Sequence, residues 1–301
     1  MNFLDFIKSE PTILLDGAIG TELDKRGLMG RGQVNLDASD AVLDIQRQYI
    51  RSGARALTAN TLTMNRIYIE THNLGVSVEA VNKAGIEIAR AAAGDTAPVL
   101  GNLSSTGQLL EPYGDGDEAQ FRCAFAEQAR ILADAGADAL LIETMIDLRE
   151  ALCALGACKE TTDLPVIVSM AFATDHNDGR TVMGDSAADC AKQLQNAGAD
   201  VIGANCGQID PSQVATIIAY FASNAALPLL AQPNAGKPRL MDDRTVFNMA
   251  PPDFAAGIAA CIDAGATLVG GCCGTTPGHI SAVRRLLGQA HAKKQNQRNA
   301  E

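Results

Sequence analysis

The sequence predicts a parallel α/β fold closed as a (β/α)8 TIM barrel in a single domain. Three observations carry that expectation. Eight short runs rich in Val, Ile, Leu and Ala alternate with amphipathic helical stretches along nearly the whole chain. The runs show little polar–apolar alternation, as strands covered on both faces should. A near-repeat, SGARALT, AGADALLIE, AGADVIGANC and AGATLVGGCC, also places a glycine just ahead of four of them. Such a glycine takes the left-handed backbone at a helix C-terminus and turns the chain into the sheet. The copies are unequally spaced, which marks a recurring helix–strand joint and not a solenoid. A doubly wound open sheet is the structural competitor, because periodicity does not reveal closure.

In chain order, strands are expected at Thr12–Asp16, Arg55–Ala59, Pro98–Asn102, Ala137–Glu143, Pro165–Met170, Ala199–Ala204, Leu227–Gln232 and Ala266–Gly271. Between them lie helical segments such as Asp40–Ser52, Val76–Ala93, Ala119–Ala135 and Ser186–Ala197. The 301 residues accommodate a barrel of this kind, which typically takes ~250 residues. No internal linker rich in Pro, Ser or charge interrupts the pattern, so residues 1–289 read as the barrel. Residues 290–301 (AHAKKQNQRNAE) read as a polar C-terminal tail that frays.

The composition excludes several functions. The formal charge is −11, from 24 Lys and Arg against 35 Asp and Glu, with no dense basic stretch. A nucleic-acid grip needs clustered positive charge. The N-terminal MNFLDFIKSE carries acids among its apolar residues and lacks the apolar core of a secretory signal. No apolar run approaches the ~20 residues of a membrane helix. Eight cysteines are too sparse for a disulfide scaffold. The cytoplasm, where they stay as thiols, is the expected compartment.

In parallel α/β folds the chemistry sits at the C-terminal ends of the strands. Those positions here hold Asp16-Gly17, Asn60, Asn102, Glu143, Asn205-Cys206, Gln232-Pro233-Asn234 and Cys272-Cys273. Cys206, Cys272 and Cys273 fall at the tops of the sixth and eighth strands. Three thiolates with one open position describe a catalytic zinc site, since structural zinc usually takes four protein ligands. Neighbouring strand residues point to opposite faces, so Cys272 and Cys273 converge only if the flanking glycines of GGCCG turn the backbone. For Cys206 alone, core packing is the better reading; for the adjacent pair, a metal is. Cys123, Cys153, Cys158, Cys190 and Cys261 fall on apolar helical faces and are expected in the core. The four histidines show no paired metal spacing, and His279, just after Thr276-Pro277, reads as a capping or packing residue. Asp16, taken alone, reads as an ordinary loop acid before a helix. Glu143 ends a strongly apolar strand, where a carboxylate is costly unless paired or solvated in a cleft. DGAIGT lacks both G-x-G-x-x-G and the Walker lysine, so no dinucleotide role is assigned.

Taken together, LLDGAIGTEL, TANTLTMNR, GNLSSTG, LLIETM, GANCG, QPNAGKP and GGCCGTTPGHI, in that order along the chain, resemble the homocysteine S-methyltransferase family. The resemblance implies a zinc-dependent (β/α)8 barrel that methylates homocysteine to methionine. It implies that Cys206, Cys272 and Cys273 are the zinc ligands, and that Asp16, Gly17 and Glu143 hold the amino-acid end of homocysteine. A free thiol, with a pKa near ~8.5, is mostly protonated at neutral pH. Coordination removes that proton, and three cysteine thiolates leave the bound sulfur electron-rich for in-line attack on an activated methyl group.

The donor is expected to be a methylcorrinoid, such as methylcobalamin supplied in trans by a corrinoid protein partner. The motif wording is closest to the homocysteine module of cobalamin-dependent methionine synthase, yet the sequence ends after one barrel, with no room for folate and cobalamin modules. S-methylmethionine and betaine-type donors are the alternatives. Quaternary ammonium groups are usually held by aromatic faces; the chain has no Trp, and Met145 follows Glu143-Thr144, although Tyr68 and Tyr113 are available. TANTLTMNR carries Leu62 where an aromatic is usual in the family, and Asn60, Arg66 and Asn234 receive no assigned role. Homo-oligomerisation is common among such barrels, but no sequence feature fixes it. Competing readings are a zinc hydrolase, which three cysteines disfavour, a non-catalytic thiol-binding subunit of a corrinoid complex, and a structural zinc with a fourth protein ligand.

Overall fold

The computed structural model describes residues 3–29, 31–241 and 244–298. Eight parallel strands form one sheet: β1 (Ile13–Leu14), β2 (Leu57–Thr58), β3 (Val99–Leu103), β4 (Ala139–Met145), β5 (Val166–Met170), β6 (Val201–Asn205), β7 (Leu229–Gln232) and β8 (Ala266–Val269). Each lies beside its neighbours in sequence, and β1 pairs with β8, Ile13 opposite Leu268. A parallel bridge between Leu15 and Ala56, with Arg55 N donating to Leu14 O at 2.7 Å, joins β1 to β2. That contact closes the ring and removes both sheet edges, which decides between the barrel and the open sheet.

The strands bury both faces, and their residues divide between two cores with a period of two. Ile13, Leu15, Leu100, Leu141, Ile167, Val201, Leu230 and Leu268 fill the interior of the barrel. Leu14, Leu57, Val99, Leu140, Ile142, Val168, Ile202 and Val269 face the surrounding helices. Both faces are apolar, which is why the sequence shows so little alternation. A short helix that the sequence reading did not anticipate, α1 (Phe3–Lys8), packs Phe3, Phe6 and Ile7 against the interior set.

The outer layer is α2 (Ser39–Ser52), α3 (Val78–Ala93), α4 (Glu118–Asp134), α5 (Leu148–Thr161), α6 (Ala187–Asn196), α7 (Pro211–Asn224), α8 (Pro251–Asp263) and α9 (Pro277–Arg298). Several of their N-termini are capped by side chains that satisfy exposed backbone N–H groups: Ser77 accepts from Ala80 N, Asp117 from Gln120 N, Ser186 from Asp189 N, and Asp210 forms a capping box with Gln213. The glycines of the near-repeat take the left-handed conformation expected of them, with φ of 109° at Gly53, 98° at Gly136, 90° at Gly198 and 115° at Gly265. Helix α9 enters the stretch read as a tail and ends at Arg298, and residues 299–301 lie outside the described residues. No described helix is long and apolar enough to cross a membrane.

One packing expectation is corrected. Cys153, Cys158, Cys190 and Cys261 are buried, but Cys123 is exposed. On α4 the buried stripe runs through Phe121, Ala124, Phe125 and Gln128, and a 3.6-residue period carries Cys123 off that stripe to the outer face.

Candidate active site

The C-terminal ends of the strands enclose a cavity of about 150 Å3. Its wall comes from residues 16–21 after β1, Thr58, Asn60 and Leu62 around the end of β2, Asn102 of β3, Glu143 of β4, Gln232 of β7 and Gly271–Cys273 after β8. Among the described residues no lysine, arginine, histidine or aromatic ring is part of that wall.

The thiols are placed by two breaks in strand geometry. Cys206 follows the last residue of β6 with φ of 53°, its N–H donating to Gln232 O at 3.2 Å. Gly207 continues the turn at φ 75°, where a Cβ would collide with the Phe172 carbonyl, so only glycine fits. Asn234 Nδ2 donates to Gly207 O at 3.0 Å and holds the turn from the β7 side. On the other side, β8 ends at Val269 and the chain leaves the pleat through Gly270 and Gly271. Cys272 N donates to Pro233 O and Cys273 O accepts from Ala235 N, each at 2.9 Å, while Thr275 Oγ1 donates to Cys272 O at 2.7 Å. Adjacent residues thereby escape the alternation of a regular strand.

The three sulfurs lie within 4.8 Å of one another, and Cys206 Sγ is 3.9 Å from Cys273 Sγ. Tetrahedral coordination at the usual zinc–thiolate length of about 2.3 Å puts sulfurs about 3.8 Å apart. The donor set therefore fits a thiophilic divalent ion. Among the described residues no further His, Cys, Asp or Glu joins the cluster. The electrostatics set these cysteines apart as well. Burial is the main cause that pushes the Cys153, Cys158 and Cys261 thiols up to about 12, with the charges of Glu118 and Glu150 adding to it at Cys153. Cys206 moves the other way, well below the usual thiol range, because Cys272 and Cys273 both donate to it. Those two are raised, Cys273 to about 12, by the hydrogen bonds that hold their protons against Cys206.

Two carboxylates share the same cavity. Glu143 sits within β4, not at its end, because the strand bulges between Ile142 and Met145 and Thr144 adopts φ 61°. The bulge is pinned by Asn205, which accepts from Thr144 N at 2.9 Å and from Ser169 Oγ at 2.8 Å and donates to Thr144 Oγ1 at 2.8 Å. Glu143 Oε1 accepts from Asn102 Nδ2 at 2.7 Å, and Oε2 from Asn205 Nδ2 at 3.2 Å. Asp16 accepts from Thr58 N at 2.8 Å and Thr58 Oγ1 at 3.0 Å. Burial raises the pKa of each acid to about 7, and the charge of Glu143 adds to the shift at Asp16. Gly17 admits its neighbours closely: a Cβ there would lie 2.7 Å from Thr275 Oγ1 and 2.9 Å from the Tyr49 ring. Tyr49 in turn donates to Ala18 O at 2.7 Å, which ties the β1 loop to α2.

Asp16, Gly17, Glu143, Cys272 and Cys273 thus line one cavity, and Cys206 stands within the thiol cluster at its edge. Other strand-end residues have structural work. Asn60 Nδ2 donates to Arg31 O at 3.0 Å and Asn35 Oδ1 at 2.9 Å, latching the β1 and β2 loops. Arg66 ion-pairs with Glu127 on the surface, away from the thiols. His279 caps its own helix: Nδ1 accepts from Thr276 N at 3.1 Å, and Nε2 lies 2.9 Å from Met249 O. Tyr68 stacks on His72 at 3.9 Å between ring centroids, and Tyr113 is exposed, so neither faces the cavity. The sequence reading missed Thr58, which has no motif of its own, and gave Asn102 and Asn205 a position without a partner.

A closed parallel barrel with thiols and carboxylates gathered at its strand tops is an architecture of (β/α)8 enzymes. Residues 13–287 match the homocysteine S-methyltransferase family, and the chain belongs to that family. It is 31% identical over 298 residues to methionine synthase of Mycobacterium tuberculosis (strain ATCC 25618 / H37Rv), covering 92% of this chain and 25% of the relative. It therefore spans about a quarter of the length of that protein. Betaine–homocysteine S-methyltransferase 1 of Rattus norvegicus is 26% identical over 94% of this chain and 74% of its own. The metallated form of the homocysteine methyltransferase MmuM from Escherichia coli shares the fold, with a TM-score of 0.75 at 22% identity over 93% of this chain and 98% of its own.

Proposed function

We propose that the protein transfers a methyl group to the sulfur of homocysteine, forming methionine, with Cys206, Cys272 and Cys273 holding zinc. The observation that carries this reading is the convergence of three thiols and two buried carboxylates on one small cavity in a chain of this family. When bound, zinc supplies an ionised sulfur nucleophile at neutral pH by displacing the thiol proton. The chain's own residues do the rest. Glu143 and Asp16 lie in a wall without a basic side chain among the described residues, so the cation that pairs with them is the substrate ammonium, which offsets the cost of burying both acids. Gly17, too close to Thr275 and Tyr49 to carry a Cβ, keeps the loop after β1 in place along the wall that the amino-acid end of the substrate meets. The methyl carbon then forms its bond to sulfur as its bond to the donor breaks, the donor leaving with that electron pair and the substrate thiol having already lost its proton.

For the donor we favour a methylcorrinoid presented from outside the barrel by a partner protein. Among the described residues no aromatic ring lines the cavity, and quaternary ammonium donors are ordinarily held by such rings. Methionine formation from homocysteine with methylcobalamin, S-methylmethionine and betaine in parallel tests this choice. Turnover with methylcobalamin is expected, and strong turnover with betaine alone would reject it.

A further inference from the structure

The loop that carries Asp16 and the loop that carries Cys272 and Cys273 are tied together behind the cavity wall. Thr275 is fully buried there. Its Oγ1 donates to Cys272 O at 2.7 Å and accepts from Ala18 N at 3.0 Å, so one hydroxyl bridges the two loops. Tyr49 of α2 closes the same joint from outside, its hydroxyl donating to Ala18 O at 2.7 Å and to Thr275 O at 3.2 Å. Gly274 N donates to Thr21 Oγ1 at 3.1 Å, and Gly271 N to Asp16 O at 3.0 Å. Two glycines of the wall answer to this one side chain: a Cβ on Gly17 would lie 2.7 Å from Thr275 Oγ1, and a Cβ on Gly271 2.6 Å from it. The paired register of β1 and β8 ends at Leu14 and Val269. Beyond it, the spacing of the two loops depends on these contacts.

We infer that Thr275 is a positioning residue whose Oγ1, with Tyr49 behind it, sets the reach between the thiol cluster and Asp16, and thereby selects a thiol amino acid of homocysteine length over the shorter cysteine. The inference rests on the homocysteine reading and deepens it. A substrate held at both ends, by its sulfur at the thiols and by its amino-acid end at the acids, is measured by the distance between the two holds. Misplacing reacting groups by about 1 Å costs on the order of 100-fold, and one methylene is worth roughly 10- to 200-fold in selectivity. Thr275 is not part of the cavity wall, so it acts through the backbone of Ala18 and Cys272 and not by touching the substrate.

The experiment measures zinc content and calorimetric binding of homocysteine and cysteine in zinc-loaded wild type, Thr275→Val and Thr275→Ser. Valine keeps the branched shape and loses both hydrogen bonds of Oγ1; serine keeps the hydroxyl. Wild type is expected to bind homocysteine at least about tenfold more tightly than cysteine. In Thr275→Val the homocysteine Kd rises roughly tenfold, the scale of the hydrogen bonding lost, while the cysteine Kd stays within about twofold and zinc content is unchanged. Thr275→Ser restores the wild-type preference. Equal weakening for both thiols, unchanged homocysteine binding, loss of zinc, or a serine variant that behaves like valine overturns the assignment. Tyr49→Phe removes one oxygen outside the wall and gives a check that does not depend on how well the valine variant folds. Its homocysteine Kd is expected to rise about threefold with cysteine binding unchanged, and unchanged homocysteine binding refutes the joint. Wild type that binds homocysteine no better than cysteine overturns this selection and leaves the methyl-transfer reading standing; wild type that binds neither thiol overturns both.

Discussion

Cys206 and Cys158 are the same residue type in the same barrel, yet their thiols titrate in opposite directions. Cys158 is buried with no charge or hydrogen bond favouring its thiolate, and burial holds its proton on. Cys206 meets two more sulfurs, and their hydrogen bonds favour its thiolate. Clustering, not cysteine content, is what makes a metal site. Cys273→Ala is expected to cut zinc content sharply and abolish methyl transfer while the far-ultraviolet circular dichroism of the barrel persists; a variant that keeps both metal and activity removes Cys273 from the centre. Glu143→Gln tests the other half of the cavity. If Glu143 faces the substrate ammonium as proposed, removing its charge is expected to raise the homocysteine KM by roughly 10- to 100-fold with zinc retained, and unchanged kinetics would dissociate Glu143 from the substrate.

At the scale of elements, the joints determine where these residues sit. The strand-entry glycines were legible because a left-handed φ has few chemical solutions, and all four of them adopt it. The bulge in β4 was not legible, because Thr144 at φ 61° is held by Asn205, 61 residues further along the chain. Helix α5 shows a similar long-range dependence. Buried Glu150 in its first turn accepts from Thr106 N at 2.8 Å and Thr106 Oγ1 at 2.9 Å, both on Oε1, and so anchors the loop after β3. Burial raises its pKa above the ordinary carboxyl value, with the charge of Asp147 adding to the shift. A folded state with the higher pKa binds the extra proton, so its stability falls as pH rises from the unfolded value through the raised one. A glutamine retains the accepting Oε1 without that titration. Glu150→Gln is accordingly expected to gain thermal stability relative to wild type as pH rises across this window; a gap that narrows with rising pH would contradict the assignment.

The whole molecule separates stability from chemistry along the barrel axis. Thiols and carboxylates occupy the C-terminal ends of the strands, while Phe3, Phe6 and Ile7 of α1 pack on the apolar interior set. Phe6→Ala is expected to cost about 3 kcal/mol in denaturant unfolding, as large aromatic truncations in a core do, and to leave the homocysteine KM unchanged at temperatures where the variant is folded. A shifted KM in the folded variant would show that the two ends are coupled. MNFLDFIKSE gave no hint of this packing, because six residues are too few to display a helical period and their partners are spread over the whole chain.

The sequence by itself determined the strand–helix alternation, the turn glycines and the identity of the thiols and acids that meet at the strand tops. These depend on local backbone preference and on apolar patterning, both of which are written within a few neighbouring residues. The tertiary structure alone decided that the ring closes through Leu15 and Ala56, that Cys123 faces outward, that Thr58 supports Asp16, and that Asn102 and Asn205 grip the two oxygens of Glu143. Apart from the outward turn of Cys123, a matter of phase on its own helix, each of these is a contact between residues distant in the chain. Such contacts depend on how the strands register in space, which no short stretch of sequence encodes.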